Sequence, residues 1–94
     1  MLQMRFINIS RRNKLLARWA FRKTDLPDEK RDEYVYSIVK SFIFIPSDMR
    51  LITNIVHDLN SRGIVISRNE VIQQLRKIEK KLGIFRARNI DDEK

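Results

Sequence analysis

Two glycines and two prolines are the only strong backbone breakers in this chain of 94 residues. They divide it into stretches whose apolar residues recur at helical spacing. A many-stranded fold needs a turn signal about every 8–12 residues, and this chain does not supply them. Each helix with one apolar stripe must bury that stripe on the others. The expected fold is therefore all-α: a four-helix bundle in a single domain. A chain of this length buries roughly two-thirds of its unfolded surface, enough for one core and not for two.

The spacing predicts helices over 11–23, 27–43, 48–62 and 68–82. In the first, Leu15, Leu16, Trp19 and Ala20 form the apolar face and Trp19 reads as a core anchor. Ser10 is a candidate N-cap. Leu2, Phe6 and Ile9 continue the same spacing backward. The second opens at Pro27, where a missing N–H costs nothing, and carries Tyr34, Val35, Ile38, Val39 and Phe42 inward. Ser47 caps the third, whose stripe is Leu51, Ile52, Ile55, Val56 and Leu59. Gly63 follows where a helix end favours positive φ. Ser67 and Glu70 form a capping box ahead of Val71, Ile72, Leu75, Ile78 and Leu82, and Gly83 closes that helix. The domain organisation expected is a short extension over 1–10, the bundle over 11–83 and a polar, disordered tail over 84–94.

The formal net charge is +8. Seven basic residues (Arg5, Arg11, Arg12, Lys14, Arg18, Arg22 and Lys23) and no acid fall within the first 24. Such a surface suits an acidic partner or a polyanion. The longest purely apolar run, Phe42 to Ile45, is far short of the ~20 residues of a membrane span, so no membrane insertion is expected. Cysteine is absent, which excludes disulfides and thiolate metal sites and fits a reducing, cytoplasmic setting.

Catalytic signals are lacking. His57 is the sole histidine, near Asp58 and Ser61, but no nucleophile elbow or glycine-rich loop accompanies them, and the chain is not expected to be an enzyme. The third and fourth helices with the turn at Gly63 suggest a second reading, a helix-turn-helix nucleic-acid-binding module over 48–82. There Arg68, Asn69, Gln73 and Gln74 are the side chains that could read base edges. The apolar connector Ile64-Val65-Ile66 is unusual for such a turn.

Specific sequence favours another reading. Arg11-Arg12-Asn13-Lys14-Leu15-Leu16-Ala17-Arg18-Trp19-Ala20 closely resembles the RRNKLLGxWAA signature of the zeta-subunit inhibitor family of alphaproteobacterial F-type ATP synthases. Asp32-Glu33-Tyr34 with Ser37-Ile38-Val39-Lys40 and Phe42 resembles the family's second helix. Asp48 and Arg50 fall where its third helix opens. Asp58-Leu59 and Gly63-Ile64-Val65-Ile66-Ser67 resemble its DLxxxGVxIS stretch. This resemblance, spanning Arg11 to Gly83, implies a four-helix bundle that regulates ATP hydrolysis by binding the catalytic sector of ATP synthase. It implies no required cofactor and, as in some members, a purine nucleotide (ADP or ATP) as ligand. Arg11, Arg12, Asn13, Lys14 and Arg18 are the candidate nucleotide- or partner-binding residues. A monomer is expected, with nucleic acid the second-choice partner.

Two features depart from the family. Its inhibitory element is an acidic segment ahead of the signature, and Met1 to Ser10 resembles none of it, so no inhibitory residue carries over. The chain is therefore expected to bind without inhibiting. The family's acidic stretch after the second helix is replaced by Ile43-Phe44-Ile45-Pro46.

Overall fold

The computed structural model describes residues 2–84, with side chains from Ile7 onward. It contains four α-helices, α1 (Leu2–Phe21), α2 (Arg31–Phe44), α3 (Asp48–Ser61) and α4 (Arg68–Leu82), and no strand among the described residues. The all-α four-helix expectation holds. Most of the expected tail, from residue 85 on, lies outside the described residues.

Two boundaries differ by more than two residues from the periodicity reading, the starts of the first and second helices. Residues 2–10 are not a separate extension but the first half of α1, which continues the Leu2, Phe6, Ile9 spacing without a break. Ser10 is thus interior to a helix, not its cap. Pro27 does not open an α-helix either. It precedes a 3₁₀ turn, Asp28–Lys30, and α2 proper begins at Arg31. Proline fixes its own φ, but a tighter turn satisfies that as well as an α-helix does.

The local signals in the second half act as read. The Ser47 hydroxyl accepts from the Arg50 N–H at 3.2 Å. At α4 the Ser67 hydroxyl accepts from the Glu70 N–H at 3.2 Å, and the Ser67 N–H donates back to the Glu70 carboxylate at 3.0 Å. Gly63 and Gly83 take φ of 83° and 70°, the left-handed region where a side chain is strained. Ser67→Ala should cost about 1 kcal/mol, because a helix N–H loses its partner. A urea midpoint equal to that of the native chain would show that the cap contributes nothing.

The core joins Leu16, Ala17, Ala20 and Phe21 of α1 to Tyr34, Val35 and Ile38 of α2, to Leu51, Ile52, Ile55 and Leu59 of α3, and to Val71, Ile72, Leu75 and Ile78 of α4. Trp19 and Leu15 are only half-buried at its edge. The buried face of α1 is rotated toward Ala17. Trp19 lies instead under the Lys23 ammonium, 4.7 Å from a ring centroid. Its loss should thus cost less than that of a fully enclosed tryptophan.

Phe21 packs on Tyr34 at 5.7 Å and Arg12 lies over Phe42 at 5.9 Å, so α1 and α2 run antiparallel. Tyr34 then ties α2 to α3 by donating to Asp58 Oδ2 at 2.8 Å. Burial first, then this hydrogen bond and the Asp58 charge, push the Tyr34 phenol well above its ordinary range, while Arg62 opposes the shift. The folded chain therefore holds that proton more tightly than the unfolded chain does, and stability falls as pH rises past about 10. Tyr34→Phe should lower stability by about 1 kcal/mol at neutral pH. It should also flatten that alkaline decline, as read from urea midpoints between neutral and alkaline pH.

Candidate functional site on the first helix

The signature block splits into two faces once folded. Arg12 and Asn13 turn inward, and Arg11, Lys14 and Arg18 turn outward. A guanidinium has five N–H donors, and Arg12 uses all of them. Its Nε and Nη2 donate to Asn13 Oδ1 at 3.0 and 2.9 Å. Its Nη2 and Nη1 donate to the two Asp48 oxygens at 2.7 and 3.3 Å. Its Nη1 also donates to Glu79 Oε2 at 2.8 Å. With 1% of its surface exposed and its plane near Phe42, Arg12 touches all four helices. Asp48 sits in the first turn of α3, where the helix dipole favours a carboxylate. Arg12 and Asn13 were candidates for a ligand or partner. The Arg12 guanidinium and the Asn13 amide oxygen are committed to the bundle, where they place α1.

The outward face is different. Ile7, Ser10, Arg11, Lys14, Leu15 and Arg18 fall three, four, seven, eight and eleven residues along one side of α1 and line an open groove of about 440 Å³. Arg22 extends the same side. None of Arg11, Lys14, Arg18 or Arg22 makes an ion pair among the described residues, and all four are exposed. The result is a strip of cations, unpaired among the described residues and about 16 Å long from Arg11 to Arg22, with Leu15 between them and Ile7 at one end supplying apolar contact. It can hold carboxylates or phosphates.

The residues around His57 do not form a catalytic constellation. His57 is exposed. Asp58 Oδ2 accepts from Tyr34 and from Arg62 Nε at 3.1 Å, and the Ser61 hydroxyl donates to the Asp58 carbonyl. Among the described residues no group of three or more His, Cys, Asp or Glu could hold a metal. Of the base-reading candidates, Asn69 and Gln73 are exposed and Gln74 is half-buried. Arg68 folds back on α3, donating to Thr53 Oγ1 at 2.7 Å. That exposed contact bridges α3 and α4.

Matching the chain to known families aligns residues 2–82 with ATPase inhibitor subunit zeta. The chain belongs to this family. No curated protein and no solved structure matched. The zeta family match starts at residue 2, so the first half of α1 lies within it, whereas the quoted motifs start only at Arg11. It lends no support to the helix-turn-helix alternative. The structure also shows what the periodicity missed. Asp48 and Glu79 were not singled out as partners of Arg12. Glu79 sits seven residues after Ile72 and four after Leu75, on the apolar stripe of α4, and an acid in that position signals an internal cation.

Proposed function

We propose that this chain is a non-catalytic, cytoplasmic regulator that docks as a monomer on the catalytic sector of ATP synthase. The contact is the outward face of α1, with Arg11, Lys14 and Arg18 as its charged anchors. The observation that carries this reading is the strip of unpaired cations on the outside of the signature helix, in a chain whose family acts on an ATPase. Opposite charge on the partner would speed encounter and fix orientation, with a dependence on ionic strength.

In this reading the same groove takes the phosphates of ADP or ATP on its three cations, with the purine against Leu15. Its volume lies within the roughly 300–1,000 Å³ of small-molecule sites.

Inhibition of hydrolysis is proposed to be weak. Met1 to Ser10, directly ahead of the signature, hold one arginine and no carboxylate. They cannot meet the electrostatic demand of a groove suited to the acidic segment that the family resemblance implies. An ATPase assay on the cognate enzyme should show little inhibition by the chain in excess, and marked inhibition by a chimera carrying an acidic family-type lead. Strong inhibition by the unmodified chain would overturn this.

A further inference from the structure

α2 ends in Ile43 and Phe44, the turn continues with Ile45 and Pro46, and α3 opens with Asp48 and Met49. Ile43, Phe44 and Ile45 are 66%, 80% and 50% exposed, and Met49 is exposed beside them. Because α1 runs antiparallel to α2 and Arg12 lies over Phe42, the part of α1 ahead of Arg12 sits at this same end, and Ile7 there is also exposed. Exposed large apolar side chains thus gather at one end of the bundle. Singly such residues are ordinary; together they mark a contact.

Among the described residues, the exposed charges of the α2–α3 corner are basic. From Tyr34 to His57 the only carboxylate is Asp48, and both its oxygens accept from Arg12. Lys40, one helical turn before Phe44 on the same side of α2, is exposed. So is Arg50, next to Met49. Neither makes an ion pair among the described residues.

We propose that this end is a peripheral contact for an anionic lipid surface. Ile43, Phe44 and Ile45 enter the boundary between headgroups and acyl chains, and Lys40 and Arg50 meet lipid phosphates. Lys40 and Phe44 are about 6 Å apart along the helix axis. That offset lets the ammonium stay at phosphate level while the ring enters the boundary layer, which apolar side chains of surface-bound proteins reach to a depth of ~5–10 Å. A weak apolar anchor and a basic rim are the two signals that stable adsorption needs together. No helix among the described residues is long and apolar enough to cross a membrane, so the contact is with one face of it only. A second copy of the chain is a poorer occupant. It would bring the same cations face to face, on molecules each carrying +8.

The test is co-sedimentation of the full chain with vesicles of phosphatidylglycerol and phosphatidylcholine, beside vesicles of phosphatidylcholine alone. Sedimentation with the anionic vesicles, weaker by roughly tenfold or more with the neutral ones, is expected. Phe44→Asp should lower anionic-vesicle binding by roughly tenfold or more, and so should Lys40→Glu combined with Arg50→Glu. All three positions are exposed, so the fold should persist, as circular dichroism and the urea midpoint would verify. Binding unchanged by Phe44→Asp would reduce the effect to general charge attraction and overturn the proposal. So would no sedimentation with either vesicle, or lipid-free dimerisation that Phe44→Asp abolishes.

Discussion

Arg12→Ala is expected to destabilise the bundle by about 3–5 kcal/mol, the usual cost of breaking a buried, hydrogen-bonded ion pair. The guanidinium is almost wholly enclosed, and its five N–H groups all donate, to Asn13, Asp48 and Glu79. Removing it takes a counter-charge from Glu79, itself 5% exposed, and opens space beside Phe42. The total stability of a domain this small is on the order of 5–15 kcal/mol, so the loss would shift the urea midpoint by more than about 1 M. Arg12→Lys should recover little, because one compact ammonium cannot reach the four acceptor oxygens that the planar guanidinium spans on Asn13, Asp48 and Glu79. Arg18→Ala, on the exposed side of the same helix, should change stability by no more than about 0.5 kcal/mol. Equal midpoints for Arg12→Ala and Arg18→Ala would show that the buried network is not what locks the helices together.

The contrast between these two arginines also marks how far the sequence alone could be read. In α3 and α4 the stripes are aliphatic and well separated from the charges. Leu51, Ile52, Ile55, Val71 and Leu75 are accordingly buried as expected, and the caps at Ser47 and Ser67 start their helices where predicted. Those signals are local, set by a 3.6-residue period and by side chains bonding three residues away. In α1 the period is equally clear, but the face is ambiguous by one residue, roughly a quarter of a turn. Leu15 and Trp19 outweigh Ala17 in hydrophobicity, and yet Arg12, Asn13, Leu16, Ala17 and Ala20 form the inner side. What decides it is distant: Asp48 lies 36 residues from Arg12 and Glu79 lies 67. An arginine with no nearby acid reads as solvated until the fold delivers its partners. The candidate site was likewise half legible. Arg11, Lys14 and Arg18 stand outside as a basic strip, while their neighbours Arg12 and Asn13 are consumed inside.

Reversing that strip should have the largest functional effect. Arg11→Glu, Lys14→Glu and Arg18→Glu together replace three exposed cations by three anions along one side of α1, the face proposed to dock on the partner. Like-charge juxtaposition across an interface costs several kcal/mol, so docking on the catalytic sector should weaken by about 100-fold or more. None of the three side chains enters the core, and the urea midpoint should stay close to that of the native chain. Raising the salt concentration should weaken the native contact, because exposed charges are screened within about 10 Å at 0.1 M.

Calorimetric titration of the purified catalytic sector of the cognate ATP synthase with the native chain, and in parallel with the triple reversal, decides whether this helix face is a docking surface. Saturable binding of the native chain, lost in the equally stable triple variant, is the expected result. No heat of binding from the native chain at micromolar concentrations and low salt, or equal affinity for the two proteins, would contradict it.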